Sequence, residues 1–245
     1  NPTVVSHIIN SQNGFNYLNT PSRIAVSGNY LYISSGWLDN SVTIADISTK
    51  SSPSFVTVIR DGVGEFNDLD NAMDMVIAND ILYVGSYYDD AISIIDVSTP
   101  SSPSLLAVIK DGVEGVNNLN SVRELFLDCN YLYASAYIDN TVNIFDVSSS
   151  TNPVLVGEIK DGVGGFDYLN GPTDIEKVGS YLYIASYVDH AMTVADVTDP
   201  ASPILIDEII DGQNGFDYLL NANYIAVSGN YLYLTSSGDS AVNVI

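Results

Sequence analysis

The chain repeats itself about every fifty residues. The segments SGNYLYISS, ANDILYVGS, DCNYLYASA, VGSYLYIAS and SGNYLYLTS recur. The tyrosines they share, Tyr32, Tyr83, Tyr133, Tyr183 and Tyr233, lie 51, 50, 50 and 50 positions apart. Prolines keep the same step at Pro2, Pro53, Pro103, Pro153 and Pro203. A period of this length belongs to propeller arrays, in which one unit cannot bury its apolar face alone and stacks on its neighbours.

Each repeat holds four strand signals rich in Val, Ile, Tyr and Thr and bounded by turn residues. In the first repeat these are strand a at 23–27, b at 30–36, c at 41–47 and d at 54–59. Gly28-Asn29 and Asp39-Asn40 supply the a-to-b and b-to-c turns, and Ser-Ser-Pro clusters separate c from d. No helical periodicity outlasts a turn. The pattern predicts an all-β, five-bladed β-propeller with four antiparallel strands per blade, as one domain over residues 1–245. Its blades fall at about 22–60, 73–110, 122–160, 172–210 and 222–245. The chain opens on a d-type strand, residues 3–9, and its last blade stops after strand c. We therefore expect residues 3–9 to pair with that blade and close the sheet edge.

The run Gly-Asn-Tyr-Leu-Tyr-Ile, then Val-x-Ile-x-Asp-Ile-Ser, then Ser-Pro-x-x-Val resembles the LVIVD-repeat β-propellers of bacterial and archaeal surface proteins. The resemblance spans the whole chain and implies a propeller located outside the cell or at its surface. The d-to-a loop at 161–170, Asp-Gly-Val-Gly-Gly-Phe-Asp-Tyr-Leu-Asn, is similar to loops of lactonase-like propellers.

Charge narrows the function. There are 30 acidic residues against 7 basic ones, a formal net charge of −23. Nucleic-acid binding needs clustered Lys and Arg to neutralise phosphates, so nucleic acid is excluded as a partner. An anionic membrane surface is disfavoured on the same ground, and no apolar run approaches a membrane span. Of the acids 24 are Asp, a turn residue, so the acidity gathers in loops. A single cysteine, Cys129, rules out an internal disulfide. The chain starts Asn1-Pro2 without an initiator Met, and a processed leader and a trimmed start both fit.

In a propeller the d-to-a and b-to-c loops share one face, and both are Asp-rich here. The d-to-a loops start at Asn10, Asp61, Asp111, Asp161 and Asp211. They end on Leu18, Leu69, Leu119, Leu169 and Leu219. Two readings fit their carboxylates. Asp61, Asp111, Asp161, Asp167, Asp211 and Asp217 are candidate calcium ligands, because calcium takes 6 to 8 oxygens from carboxylates and carbonyls. The same side chains also cap turns by accepting backbone N–H bonds. Aromatic residues on this face, Tyr17, Trp37, Tyr87, Tyr137, Tyr168, Tyr187 and Tyr218, suit stacking on a sugar ring or packing between blades. The starts of strand a should line a central channel mouth, with carboxylates at Asp74, Glu124 and Asp174 beside Arg23 and Tyr224.

No nucleophile–base constellation stands out, and the two histidines, His7 and His190, occupy unrelated repeat positions. The chain therefore reads as a non-enzymatic extracellular binding module, lectin-like or adhesive, for a glycan or surface protein, with calcium as a candidate ion. A self-assembling surface-layer, filament or virion protein is the alternative, with self-association its partner mode. A metal-dependent hydrolase at the channel mouth is the second alternative.

Overall fold

The computed structural model describes residues 1–245. They form two compact units, Asn1–Lys110 and Asp111–Ile245. Apart from one helical turn, every regular element is a β-strand. This is an all-β propeller fold of five antiparallel blades.

The first unit holds two blades. The strands β1 (Arg23–Ser27), β2 (Tyr30–Ser35), β3 (Ser41–Asp46) and β4 (Ser54–Arg60) pair in chain order. So do β5 (Ala72–Ala78), β6 (Ile81–Ser86), β7 (Ala91–Asp96) and β8 (Ser104–Lys110). The second unit holds β9 (Val122–Asp128), β10 (Tyr131–Ala136), β11 (Thr141–Asp146) and β12 (Val154–Lys160) as one sheet. A second sheet contains β13 (Pro172–Val178), β14 (Tyr181–Ser186), β15 (Ala191–Asp196) and β16 (Ile204–Ile210). The last has three strands, β17 (Ala222–Ser228), β18 (Tyr231–Ser236) and β19 (Ala241–Val244).

Alternation along each strand fills the cores. Tyr32, Val42, Ile44 and Ile59 join Leu69, Leu82 and Val84 in the first unit. Tyr133, Val142, Ile144 and Ile159 join Leu169, Leu182 and Ile184 in the second. Burial first, and the nearby Asp80 second, pushes the Tyr32 phenol up to about 12. Burial does the same to Tyr133, again to about 12. These tyrosines pack between blades rather than meeting solvent. The connections are equally regular. After strand c, Asp46, Asp96, Asp146 and Asp196 accept the N–H of Ser48, Ser98, Ser148 and Thr198. Those bonds hold the four carboxyls below their ordinary range.

Two expectations are corrected. Residues 3–9 form no strand, and the last sheet gains no fourth member. Val4, Val5 and Ile8 instead line a groove with Leu31, Ile33, Ile47 and Pro53, and Ser6 Oγ donates to the Lys50 carbonyl at 2.6 Å. The segment's apolar side chains find a face to pack on, while its backbone pairs with no strand edge. The first b-to-c connection is also not a plain hairpin. Gly36–Asp39 makes one helical turn, α1, closed by Asn40 in the left-handed conformation.

One turn residue is out of character. The a-to-b turns place Gly28, Asn79, Cys129, Gly179 and Gly229 at φ of 56°, 51°, 53°, 60° and 63°. Glycine adopts this conformation freely and Asn tolerates it, but a cysteine Cβ crowds the following carbonyl. Cys129→Gly should raise stability by about 1 kcal/mol, read as a higher thermal midpoint. An unchanged or lower midpoint contradicts this account of the turn.

Candidate functional site

The Asp-rich loops are held by their own aspartates. Oδ1 of Asp61, Asp111, Asp161 and Asp211 accepts the N–H of Leu69, Leu119, Leu169 and Leu219 at 3.1, 2.9, 3.0 and 2.8 Å. Asn10 does the same for Leu18 at 3.2 Å. Each b-to-c aspartate grips the residue after that leucine. Asp39, Asp89, Asp139, Asp189 and Asp239 accept from Asn19, Asp70, Asn120, Asn170 and Leu220 at 2.6 to 2.9 Å. Burial pushes the Asp89 and Asp189 carboxyls up. Four of the six candidate calcium ligands are thus turn acceptors. Of the other two, Asp167 and Asp217 are exposed, and the Asp167 N–H donates to Glu208 Oε1 at 3.0 Å. No three His, Cys, Asp or Glu side chains come together as a metal-holding group.

Four of the seven candidate aromatics pack on cations or other rings. Tyr17 lies under the Arg60 guanidinium at 4.2 Å and accepts from it through its hydroxyl at 3.2 Å. Tyr137 lies 5.3 Å under Arg123. Trp37 and Tyr87 are linked through Tyr88, at 6.3 and 5.3 Å between ring centroids. Tyr168 and Tyr187 are half-buried, and Tyr218 is exposed. Sequence reasoning overlooked the cations at the end of strand d. Arg60 meets Tyr17, Lys110 meets Asp68 Oδ1 and Lys160 meets Asn118 Oδ1, the last two at 2.5 Å.

The starts of strand a carry buried charge. In the first unit Asp74 lies at a β-bulge of β5, where Ala72 pairs with Ser86 and Asp74 with Gly85. Bulges of this kind re-aim a side chain. Here Asp74 Oδ1 stands 3.3 Å from Arg23 Nε, with the Asp74 side chain 6% exposed and that of Arg23 29% exposed. In the second unit Asp174 lies at the matching bulge of β13, and its Oδ2 accepts the Ile225 N–H. The other three starts are braced by hydroxyls. The N–H groups of Arg23, Glu124 and Tyr224 donate to Ser34, Ser135 and Thr235 at 3.1, 3.0 and 2.9 Å. The two blades with Gly85 or Ala185 in place of that hydroxyl are the two with a buried aspartate. A buried carboxylate beside a part-exposed guanidinium pairs a proton acceptor with an anion binder.

Comparisons with known proteins agree with this fold. The LVIVD repeat model matches residues 21–60, 70–110, 121–161, 173–210 and 221–240. No curated protein matches the chain. Among solved structures, a protein from Lactobacillus plantarum is 12% identical with a TM-score of 0.68, covering 92% of this chain and 70% of its own. A protein from Bacteroides fragilis, named as a proposed 6-phosphogluconolactonase, is 12% identical with a TM-score of 0.67, covering 91% and 69%. The periplasmic gluconolactonase of Pseudomonas aeruginosa is 13% identical with a TM-score of 0.65, covering 91% and 70%. At such identities the likeness is one of fold. It nevertheless corrects the expectation of a lectin-like or adhesive module. Two of these three similar folds are named as lactonases, and four of the aromatic residues expected to stack on sugar, Tyr17, Trp37, Tyr87 and Tyr137, meet cations or other rings instead. No helix is long and apolar enough to cross a membrane.

Proposed function

From the premise that the chain belongs to the LVIVD-repeat family, we propose that it is a hydrolase opening the ring of a sugar-derived lactone, with Asp74 and Arg23 as its working pair. The observation that carries this reading is the buried Asp74 carboxylate beside the Arg23 guanidinium at the start of strand a. The lactonases of similar fold supply the substrate class.

The chemistry needs only these two groups and water. Asp74 takes a proton from a water as that water attacks the ring carbonyl carbon. The carbonyl oxygen becomes an oxyanion, which Arg23 stabilises by charge and hydrogen bonding. The intermediate collapses, the ring C–O bond breaks, and the ring oxygen leaves as a hydroxyl with the proton that Asp74 held. The product is a hydroxy acid, which releases a proton to neutral solvent. This reading departs from the expectation of a non-enzymatic module, and it keeps the location outside the cell that the family resemblance implies.

Acid release from glucono-δ-lactone at constant pH tests it. The purified chain should accelerate ring opening above the buffer rate. A rate equal to buffer alone, across a series of sugar lactones, overturns the reading.

A further inference from the structure

The first b-to-c connection breaks the repeat. It runs over five residues, 36–40, where each of the others runs over four, as at 87–90. Its helical turn α1 presents Trp37 and Leu38 to solvent, at 66% and 65% exposure. Trp37 is the only tryptophan of the chain. Its ring stands 6.3 Å from that of Tyr88, tilted by 52°. Tyr88 is 54% exposed and meets Tyr87 edge-on at 5.3 Å. All of these residues belong to the first unit, so the patch is complete within two neighbouring blades. A cluster of exposed apolar side chains marks an interaction surface, and Trp and Tyr dominate the energy of such contacts.

Two carboxylates border the rings. Asp39 ends α1 and accepts the N–H and Nδ2 of Asn19 at 2.6 and 3.0 Å. The Asp70 carbonyl accepts the Tyr88 N–H at 3.3 Å, and its Oδ1 accepts from Asn40 Nδ2 at 2.8 Å. These donors are uncharged amides, which fix the side chains and leave their negative charge in place. Lys110 is engaged elsewhere, by Asp68 Oδ1 at 2.5 Å.

We propose that this patch binds a basic peptide segment of a partner protein, with an arginine guanidinium stacked on Trp37 and Tyr88 and drawn there by Asp39 and Asp70. A cation gains most over the face of a Trp ring, and a guanidinium both stacks on aromatic faces and pairs with carboxylates. The chain already makes this pairing within itself. The Arg60 guanidinium lies 4.2 Å over the Tyr17 ring, and that of Arg123 5.3 Å over Tyr137. An apolar segment would cover the rings but strip water from the two carboxylates without pairing them. The formal charge of −23 steers a basic partner toward the chain.

Isothermal titration calorimetry of the intact chain with an oligoarginine peptide tests this. The wild type should bind saturably and more weakly at high salt, and the emission of Trp37 should change in step. Trp37→Leu and Tyr88→Leu should each raise Kd by about 3- to 30-fold. Tyr218→Leu alters an exposed tyrosine of the second unit and should leave Kd unchanged. All three side chains are exposed, so circular dichroism should match the wild type. Tyr88→Leu also keeps Trp37 as its reporter and carries the test alone if Trp37→Leu does not fold. Absence of binding overturns the proposal. So does an equal Kd for the wild type and the patch variants, which would show charge attraction alone, or an equal loss in Tyr218→Leu. Equal binding of an uncharged apolar peptide overturns it as well. None of these outcomes depends on lactone hydrolysis.

Discussion

Leu169→Ala should lower stability by about 3 kcal/mol, within the usual range for buried leucine truncation. Leu169 is fully buried at the end of a d-to-a loop. It joins the cluster of Val142, Ile159, Phe166 and Ile184. Its backbone N–H is also the donor to Asp161 Oδ1, so the side chain and the amide anchor one loop from two sides. Truncation leaves a void beneath the loop and loosens that bond. The urea midpoint should fall with an unchanged denaturant slope, because the lost contacts are local. Asp161→Ala should cost about 1 to 3 kcal/mol by leaving the Leu169 amide without its acceptor. The double variant should cost less than the sum, because one loop is lost only once. Strict additivity would show that the two anchors are independent, and the loop would not be the single unit these contacts describe.

Gly157→Ala should be as damaging, although alanine is the smallest side chain that can be added. Gly157 lies in β12 opposite Ile144, next to a bulge. A Cβ there would overlap the carbonyl oxygen of Pro200 and crowd the Ala201 Cα at 3.4 Å. The obstacle is backbone in the c-to-d turn of the following blade, which no rotamer change relieves. Overpacking of this kind costs about 3 kcal/mol. The equivalent residues Thr57, Ala107 and Asp207 carry side chains, so the demand belongs to this interface and not to the repeat. Thermal denaturation of Gly157→Ala, with Ala107→Gly as the companion variant, separates the two cases. Equal small losses in both would contradict a specific close approach at Gly157.

Much of the fold was legible from the spacing of a few residues. The tyrosine and proline steps place strands b and d, and the expected first blade at 23–27, 30–36, 41–47 and 54–59 differs from the observed one by a residue at three ends. The closing strand was less legible. The apolar, β-branched Val4, Val5, Ile8 and Ile9 announce a strand-like segment, but such a run does not say which edge it pairs with. The loop aspartates were ambiguous for a chemical reason, since a calcium site and a capped turn both need carboxylate oxygens aimed inward. The strand-end cations had a readable signal. Three of the seven basic residues, Arg60, Lys110 and Lys160, occupy one repeat position, which marks Tyr17, Asp68 and Asn118 as their partners. The buried aspartates had one as well, because Asp74 and Asp174 occur where Gly85 and Ala185 replace the bracing hydroxyl.

The most direct test of the central claim is kcat/KM for lactone ring opening by the wild type, Asp74→Asn and Asp174→Asn. Asn keeps the size of both side chains, and both aspartates stand at matching bulges, but only Asp74 is proposed as the base. Removing a general base costs about 10²- to 10⁴-fold. The account predicts a loss in that range for Asp74→Asn and a rate near the wild type for Asp174→Asn. Equal rates for the wild type and Asp74→Asn, or a loss confined to Asp174→Asn, would contradict it.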